Sequence, residues 1–578
     1  MNRPRVSAAS LGRLIFTVPL LALFLLPKSA SAQNPALAER LPADTWMCVS
    51  WPGMKSLSPA QKTNHLLALW ADPDFAPARR ALFAQMYAGS TTKGAASKVS
   101  PDQFASFLAL LDNPLVFGFA GTLNYRTGVA ASSPIGESGV FLIYDATGKE
   151  DLVKALVLLQ QATAQEKPSI EKYTFAGVAV EKRTTSKGNS YTAWSGSYFI
   201  AADEKPTIEK LNTNLGSSAA PAESLAKTPE YAAIEHEIGP DATLQVFARF
   251  PDLTKPTASK PSDHKFAEFV RNLHVEKIHA MGFGTAFDGE ATRVRGGILG
   301  DTSAGSPLDI TGPSGPMFAT MPLAAYAAGY SVSRFNFAAL YKLVMQAISS
   351  ALPPEQAAMV TTIQASADKF LGVPVETALQ LFTGEFASTS SFADDGSPLQ
   401  VHAVTIRNPE LVLRVLRAVV GSQIANEDQN GSTTYLDLAA PYLDSATDRT
   451  RRKFYYIAVS PQLLVFAPRK AMAREAIAEM AAADPDGKIT PTKLPGDAEA
   501  MRALLPVNLS GFGYLDMTQV PWDKVISATI AAANTAGGPP KLDWLKEVNP
   551  SVLSRYLHCT VSGWWKDSSG IHFDSYVQ

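Results

Sequence analysis

Eight histidines and two cysteines are the residues of this chain best suited to chemistry. Two of the histidines occupy the same place in two similar segments, Ile278-His279-Ala280 and Leu557-His558-Cys559. A catalytic histidine needs a positioned carboxylate or nucleophile, and a metal site needs further ligands at suitable spacing. Each of these histidines opens a hydrophobic strand, with His274 and His572 as neighbours and no His-x-His or His-Glu-x-x-His spacing. The pattern therefore predicts strand-end histidines bonded to backbone, structural in role. His65, His236, His264 and His402 form no constellation.

Other short patterns are equally bare of support. Ser169-Ile170-Glu171-Lys172 matches the Ser-x-x-Lys nucleophile motif, but the Ser-Asp-Asn and Lys-Thr-Gly elements that accompany it are missing. There is no Gly-x-Ser-x-Gly elbow, no P-loop and no dinucleotide fingerprint after a strand. Asp484-x-Asp486-Gly487 lacks the remaining oxygen ligands of a calcium loop and reads as a helix-to-loop turn. Arg449, Arg451, Arg452 and Lys453 precede a strand and read as a solvated loop that protects a strand end. A similar basic loop lies around Lys182, Arg183 and Lys187. These residues assign no catalytic, cofactor or metal site, and no cofactor is expected.

Cys48 and Cys559 lie near opposite ends of the chain. In an oxidising compartment they could form a disulfide joining the first strand of the first repeat to the last strand of the second. They could equally be small core residues, since Ala328 and Ala280 stand at the aligned places. Trp46, Trp51, Trp564 and Trp565 add aromatic weight to the same terminal strands.

The elements that would position these residues are written twice. Leu41-Pro42 leading into Thr45–Ser50 is matched by Met321-Pro322 leading into 325–330. Ile278 to Ile298 matches Leu557 to Val577 without a gap at an offset of 279, and pairs Gly284 with Gly563. Between these ends, strand-then-helix segments recur: Val140–Tyr144 with Val401–Ile406, and Ser197–Ala201 with Gln462–Phe466. Phe250–Leu253 likewise parallels Tyr514–Met517. Asn408-Pro409-Glu410 supplies a cap, a first-turn proline and an acid for a helix carrying Leu411, Val412, Val415, Leu416 and Val419 on one face. Thr147-x-x-Glu150 has capping-box spacing before Leu152, Leu156 and Leu159. Hairpins are expected at Asp288-Gly289 and at 567–570. Strands follow one another too often for a doubly wound parallel sheet. The expectation is an α+β fold, a tandem duplication of a unit whose antiparallel, curved sheet is covered by helices. The divisions are 1–32, a signal peptide; 33–298, the first repeat; 299–320, a Gly/Ser/Pro-rich linker; and 321–578, the second repeat.

The first division rests on four basic residues (Arg3, Arg5, Arg13, Lys28), an apolar run from Leu14 to Leu26, and the small-x-small site Ala30-Ser31-Ala32. The run is too short to span a bilayer, and its flanks are those of a cleaved secretory signal. Removing it leaves 47 basic against 53 acidic residues, a mildly acidic chain with no electrostatic footprint for nucleic acid. The 46% hydrophobic and 18% charged residues suit a folded chain rather than disorder or a multi-span membrane protein. No transmembrane helix is expected after signal cleavage.

Leu41-Pro42-Ala43-Asp44-Thr45 after the signal, followed by Trp70-Ala71-Asp72-Pro73-Asp74-Phe75, resembles an uncharacterised family of exported bacterial proteins, a domain of unknown function. The resemblance spans roughly residues 37–300. It implies bacterial origin and export to the periplasm or cell surface, and supplies no activity or site residues. The expected role is a non-catalytic binding or structural protein whose partner is an unknown protein or apolar ligand. Two alternatives stand beside it: a carrier of a lipid or other apolar ligand, with runs such as Phe335–Leu352 lining the cleft, and a hydrolase with an unrecognised site.

Overall fold

The computed structural model describes residues 35–59, 61–82, 108–121, 124–125, 135–136, 139–163, 167–186, 188–218, 221–249, 273–316, 328–352, 354–393, 396, 398–438, 455–482, 494, 496–535 and 542–578. The expected signal peptide, the Asp484–Gly487 turn, the Arg449–Lys453 cluster and the Phe250–Leu253 segment lie outside them.

Among the described residues, ten strands of the main sheet come from the first part of the chain: β1 Thr45–Trp51, β2 Leu115–Ala120, β3 Gly139–Asp145, β4 Ser169–Phe175, β5 Val178–Thr185, β6 Gly188–Ser195, β7 Tyr198–Ala202, β8 Leu244–Arg249, β9 Ile278–Asp288 and β10 Ala291–Gly300. Ten more follow: β11 Gly329–Arg334, β12 Phe382–Phe392, β13 Pro398–Ile406, β14 Ile424–Asn430, β15 Thr433–Leu438, β16 Tyr455–Val459, β17 Leu463–Ala467, β18 Gly511–Asp516, β19 Cys559–Lys566 and β20 Gly570–Val577. All twenty belong to one sheet. Its antiparallel order across the first half is β4-β5-β6-β7-β3-β2-β1-β8-β9-β10. It continues without a break through β20-β19-β18-β11-β12-β13-β17-β16-β15-β14.

This corrects the expected fold class. There are not two α+β units, each with a small sheet under helices, but one dominant sheet that runs through both halves. The physical reason is the open edge each hairpin would leave. Unpaired N–H and C=O groups along β10 and β20 satisfy one another, and the two sheets become one. A sequence shows the duplication but not which edges meet.

Each half uses the same nine strand pairings, and the second set runs in the reverse spatial direction. One row of cross-strand partners reads Ile200, Ile143, Val116, Ser50, Gln245, Gly284, Arg295. It crosses to Asp574 and continues Gly563, Phe512, Val332, Ala387, Ala403, Val465. A pseudo-two-fold axis therefore passes between Arg295 and Asp574, which stand at the repeat offset of 279. The same ladders place Tyr330, not Ala328, at the position equivalent to Cys48.

Helices lie on both faces. On one, α3 (Lys205–Gly216) and α4 (Pro229–Ile238) bury Ile208, Leu211, Ile234 and Ile238 against Cys48, Val116 and Ile143. On the other, α2 (Glu150–Thr163) sets Val153 against Tyr144 and Phe199, the alternate residues of the same strands. The second half repeats this. Its α8 (Lys470–Ala482) and α9 (Gly496–Arg502) pack with Ala403 and Val465, and α7 (Pro409–Val420) packs with Leu464 on the reverse face. Gly284 makes the close approach of α4 feasible, and Gly563 that of the segment following α9. A Cβ on Gly284 would strike Ile238, and one on Gly563 would lie 3.0 Å from Leu505.

Two of the local signals hold and one does not. Asn408 accepts a hydrogen bond from Leu411 N and Pro409 opens α7. Gly289 turns the β9–β10 hairpin at φ 59°. The capping box does not form: the Thr147 hydroxyl donates instead to Asp145, and α2 begins at Glu150. Of the expected linker, 299–316 carries ordered contacts, with Leu308 buried and Ser314 bonded to the Lys566 backbone.

Candidate functional site at the seam

Charged side chains converge where β10 meets β20, under α4. Arg293, Arg295 and Gly297 face Tyr576, Asp574 and His572 respectively. On a two-fold axis a residue meets its own copy, so identical charges would repel there. The two halves differ at this point, Arg295 against Asp574, which makes the junction attractive.

Asp574 is 2% exposed and accepts three hydrogen bonds from Arg293: Nε at 3.0 and 3.1 Å and Nη2 at 2.6 Å. Burial pushes its carboxyl up, and the Arg293 guanidinium opposes that rise. The hydrogen bonds to Asp574 in turn hold Arg293 more firmly protonated. Arg293 also lies 5.5 Å over the Tyr576 ring.

His572 is 4% exposed and is held at both nitrogens. Nδ1 lies 3.0 Å from Glu237 of α4, and Nε2 lies 3.1 Å from Asp567 and 3.1 Å from the Ser569 hydroxyl. Trp565 stacks on its ring at 5.5 Å. Burial alone lowers its pKa, but hydrogen bonds and charge from Glu237 and then Asp567 outweigh this, and the net shift is upward. Burial raises Asp567, while Ser569 and His572 bring its carboxyl below the ordinary value.

Ser569, His572 and Glu237 have the spacing of a nucleophile, base and orienting acid, so the hydrolase reading is testable here. Two observations tell against it. The Ser569 hydroxyl donates to Asp567 at 2.6 Å in an Asp-x-Ser/Thr turn that recurs at Asp145-Thr147, Asp301-Ser303 and Asp516-Thr518. The imidazole sits between two carboxylates, which favours the imidazolium and removes the lone pair a general base needs.

The other expected residues are scattered. His279 is exposed on β9, whereas His558 places Nε2 3.2 Å from the Arg555 carbonyl. His558 also meets His65 edge-on, with ring centroids 4.9 Å apart. Burial and then the nearby His558 hold His65 below its ordinary pKa, against Glu290. Cys48 and Cys559 are free thiols in different core clusters. Five strand spacings separate β1 from β19 at about 4.8 Å each, far beyond the ~7 Å a disulfide allows. Burial raises their pKa values to about 12 and about 11. Ser169 and Lys172 lie on a strand, where positions three apart point to opposite faces, so they cannot act together. Trp46 and Trp51 are buried, and Trp51 Nε1 donates to Leu111 O at 2.9 Å. Among the described residues no group of three or more His, Cys, Asp or Glu side chains is placed to hold a metal.

The Trp70–Phe75 segment has a clear structural part. Trp70 and Phe75 join a cluster with Val552 and Leu553 of α10 (Pro550–Tyr556), bridging the halves. Asp72 accepts from Arg555 at 2.7 Å and from Tyr556 at 2.9 Å. Sequence reading missed Glu237, Arg293 and Asp574 as a group, since only the edge pairing brings them together.

Two surfaces lie away from the seam. One is a pocket of about 350 Å³ lined by Ala328, Ser391, Phe392, Leu399, Arg469, Met472 and Gln519. The other is a helical hairpin, α5 (Phe337–Ala351) and α6 (Pro354–Leu371), inserted between β11 and β12. Leu340, Val344 and Ile348 are exposed along α5, and Met359, Ile363 and Phe370 are about 60% exposed along α6. None of the described side chains of α6 is buried. Within the Phe335–Leu352 run, Leu340, Val344 and Ile348 face outward and Ala347 is buried. No helix of the described residues is long and apolar enough to cross a membrane.

Comparison with protein-family models, curated proteins and solved structures found no match for this chain.

Proposed function

We propose that this chain is an exported, non-catalytic binding protein that receives an apolar helical segment of a partner protein on the α5–α6 hairpin. The observation that carries the reading is the double apolar stripe. Leu340, Val344 and Ile348 recur every four residues on α5, and Met359 and Ile363 do so on α6, so each set lines one helix face. Exposed apolar surface of this extent on a folded protein marks an interaction site. An exposed apolar helix face of this kind is the surface against which an amphipathic helix packs.

Charge selects the partner class. The hairpin carries Lys342 and Lys369 against Glu355 and Asp368, and Lys342 is tied to Glu376 at 2.7 Å. This balance offers no basic face for nucleic acid or anionic lipid. Export rests on the signal-like first 32 residues and on the resemblance to exported bacterial proteins.

A photo-crosslinker at position 363, used in cells that export the protein, tests the proposal. A discrete adduct with one protein, lost in a Leu340→Glu/Phe370→Glu variant that keeps its far-ultraviolet circular dichroism, is the expected result. Absence of any adduct overturns the proposal, as does an adduct only with a second copy of the chain. Flotation with vesicles of phosphatidylcholine and phosphatidylglycerol would also overturn it by making lipid the occupant.

A further inference from the structure

We infer that His572 is a proton-operated latch between the halves, closing α4 of the first half onto β20 of the second and releasing it as the surroundings turn alkaline. The evidence is geometric. Each ring nitrogen lies within hydrogen-bond distance of a carboxylate, Glu237 on one side and Asp567 on the other. An imidazolium donates to both. A neutral imidazole has one N–H, so its second nitrogen would turn a lone pair toward a carboxylate oxygen. Ser569 cannot satisfy Asp567 in its place without change, because its hydroxyl and backbone N–H already donate to the same oxygen at 2.6 and 2.7 Å.

The latch crosses the seam. Glu237 belongs to the last turn of α4 in the first half, while His572 and Asp567 belong to the β19–β20 hairpin in the second. The hairpin turn is also tied back to the first half by Thr302 Oγ1 donating to Asp567 O at 2.9 Å, and by Gly300 N donating to Ser569 O at 2.9 Å. Among the described residues, the charged groups around the ring come from this junction. From α4 comes Glu237, from β10 Arg293 and Arg295, from β20 Asp574, and from the turn Asp567. Arg295 Nε lies 4.0 Å from Glu237, and Arg293 is taken by Asp574. Lys566, next in sequence to Asp567, turns away to Asp309 at 3.6 Å. The device is asymmetric: Arg293 occupies the repeat position of His572, and an arginine does not titrate in this range. Only one side of the pseudo-dyad therefore responds to pH.

The sign follows from linkage. The folded pKa of His572 lies above its ordinary value, so its contribution is complete below about 6.5 and is lost as pH rises through the folded pKa. For each unit by which that pKa is raised, the seam-opening constant grows about tenfold between the acid and alkaline limits.

Hydrogen exchange of the full-length protein, followed by mass spectrometry from pH 5.5 to 9 and corrected for intrinsic rates, reads this directly. Peptides covering 291–300 and 570–577 should lose protection as pH rises, while peptides from β3 and β13 should not. The expected result for His572→Gln is that this pH dependence disappears. In Glu237→Gln, which keeps a hydrogen-bonding group but removes one charge, the midpoint should move to lower pH. It also serves if the histidine variant fails to fold. A seam whose protection is flat with pH overturns the latch, as does an unchanged profile in the variant used.

Discussion

Removing the Asp574 carboxylate is the sharpest test of how the halves are joined. The side chain is 2% exposed and holds Arg293 through three hydrogen bonds, so Asp574→Asn leaves a guanidinium with one weaker partner at a buried junction. Breaking a buried pair by removing one member costs about 3–5 kcal/mol, because the remaining charge is left uncompensated. The Arg293 side chain is 26% exposed and can recruit water. The expected loss is therefore reduced to about 2–3 kcal/mol, or roughly a 30- to 150-fold larger opening constant. Urea unfolding followed by tryptophan fluorescence gives the total, and hydrogen exchange in 291–300 and 570–577 shows whether the loss is at the seam. A double-mutant cycle separates the pair from its surroundings. Arg293→Met/Asp574→Leu should be more stable than Asp574→Leu alone, with a coupling above about 1 kcal/mol. Additive single effects, or an Asp574→Asn loss below about 0.5 kcal/mol, would refute a seam held by this ion pair.

Other consequences are more local. Gly284→Val should overpack the contact with Ile238 and Ala242 and cost about 1–3 kcal/mol in chemical denaturation. Gly563→Ala, where the Leu505 and Leu509 methyls stand at 3.0 Å or more, should cost less, and equal losses would contradict the packing. Both cysteines should resist a thiol reagent in the native protein at pH 8 and react once it is unfolded, since burial raises their pKa values to about 12 and about 11. Detection of a Cys48–Cys559 linked peptide in non-reducing mapping would contradict their placement in separate cores.

The duplication, the hairpins and the Asn408-capped helix are legible in the chain because their causes act over a few residues. Asp288-Gly289 turns because glycine tolerates positive φ, and Pro409 opens a helix because its missing N–H is not needed there. The continuous apolar runs of β3 and β17 likewise follow from burial of both strand faces. The histidine pair His279 and His558 is legible as a repeat position but not as an environment. One member is exposed and the other lies against His65, because the first half and second half present different neighbours to the same strand end.

Side chains brought together by the meeting of two sheet edges were not legible. Glu237 and His572 are separated by more than a full repeat and become partners only because β10 and β20 share a ladder. By itself the sequence carried two similarly written halves and the local signals for the Asp288-Gly289 turn and the Asn408-capped helix. The tertiary structure decided that the units form a single twenty-stranded sheet, that Cys48 and Cys559 stay apart, and that a histidine is held between two carboxylates at the junction. The division has a physical origin. Turns and caps are governed by short-range sterics and hydrogen bonding, whereas edge pairing depends on satisfying backbone groups over hundreds of residues of separation, which no local pattern encodes.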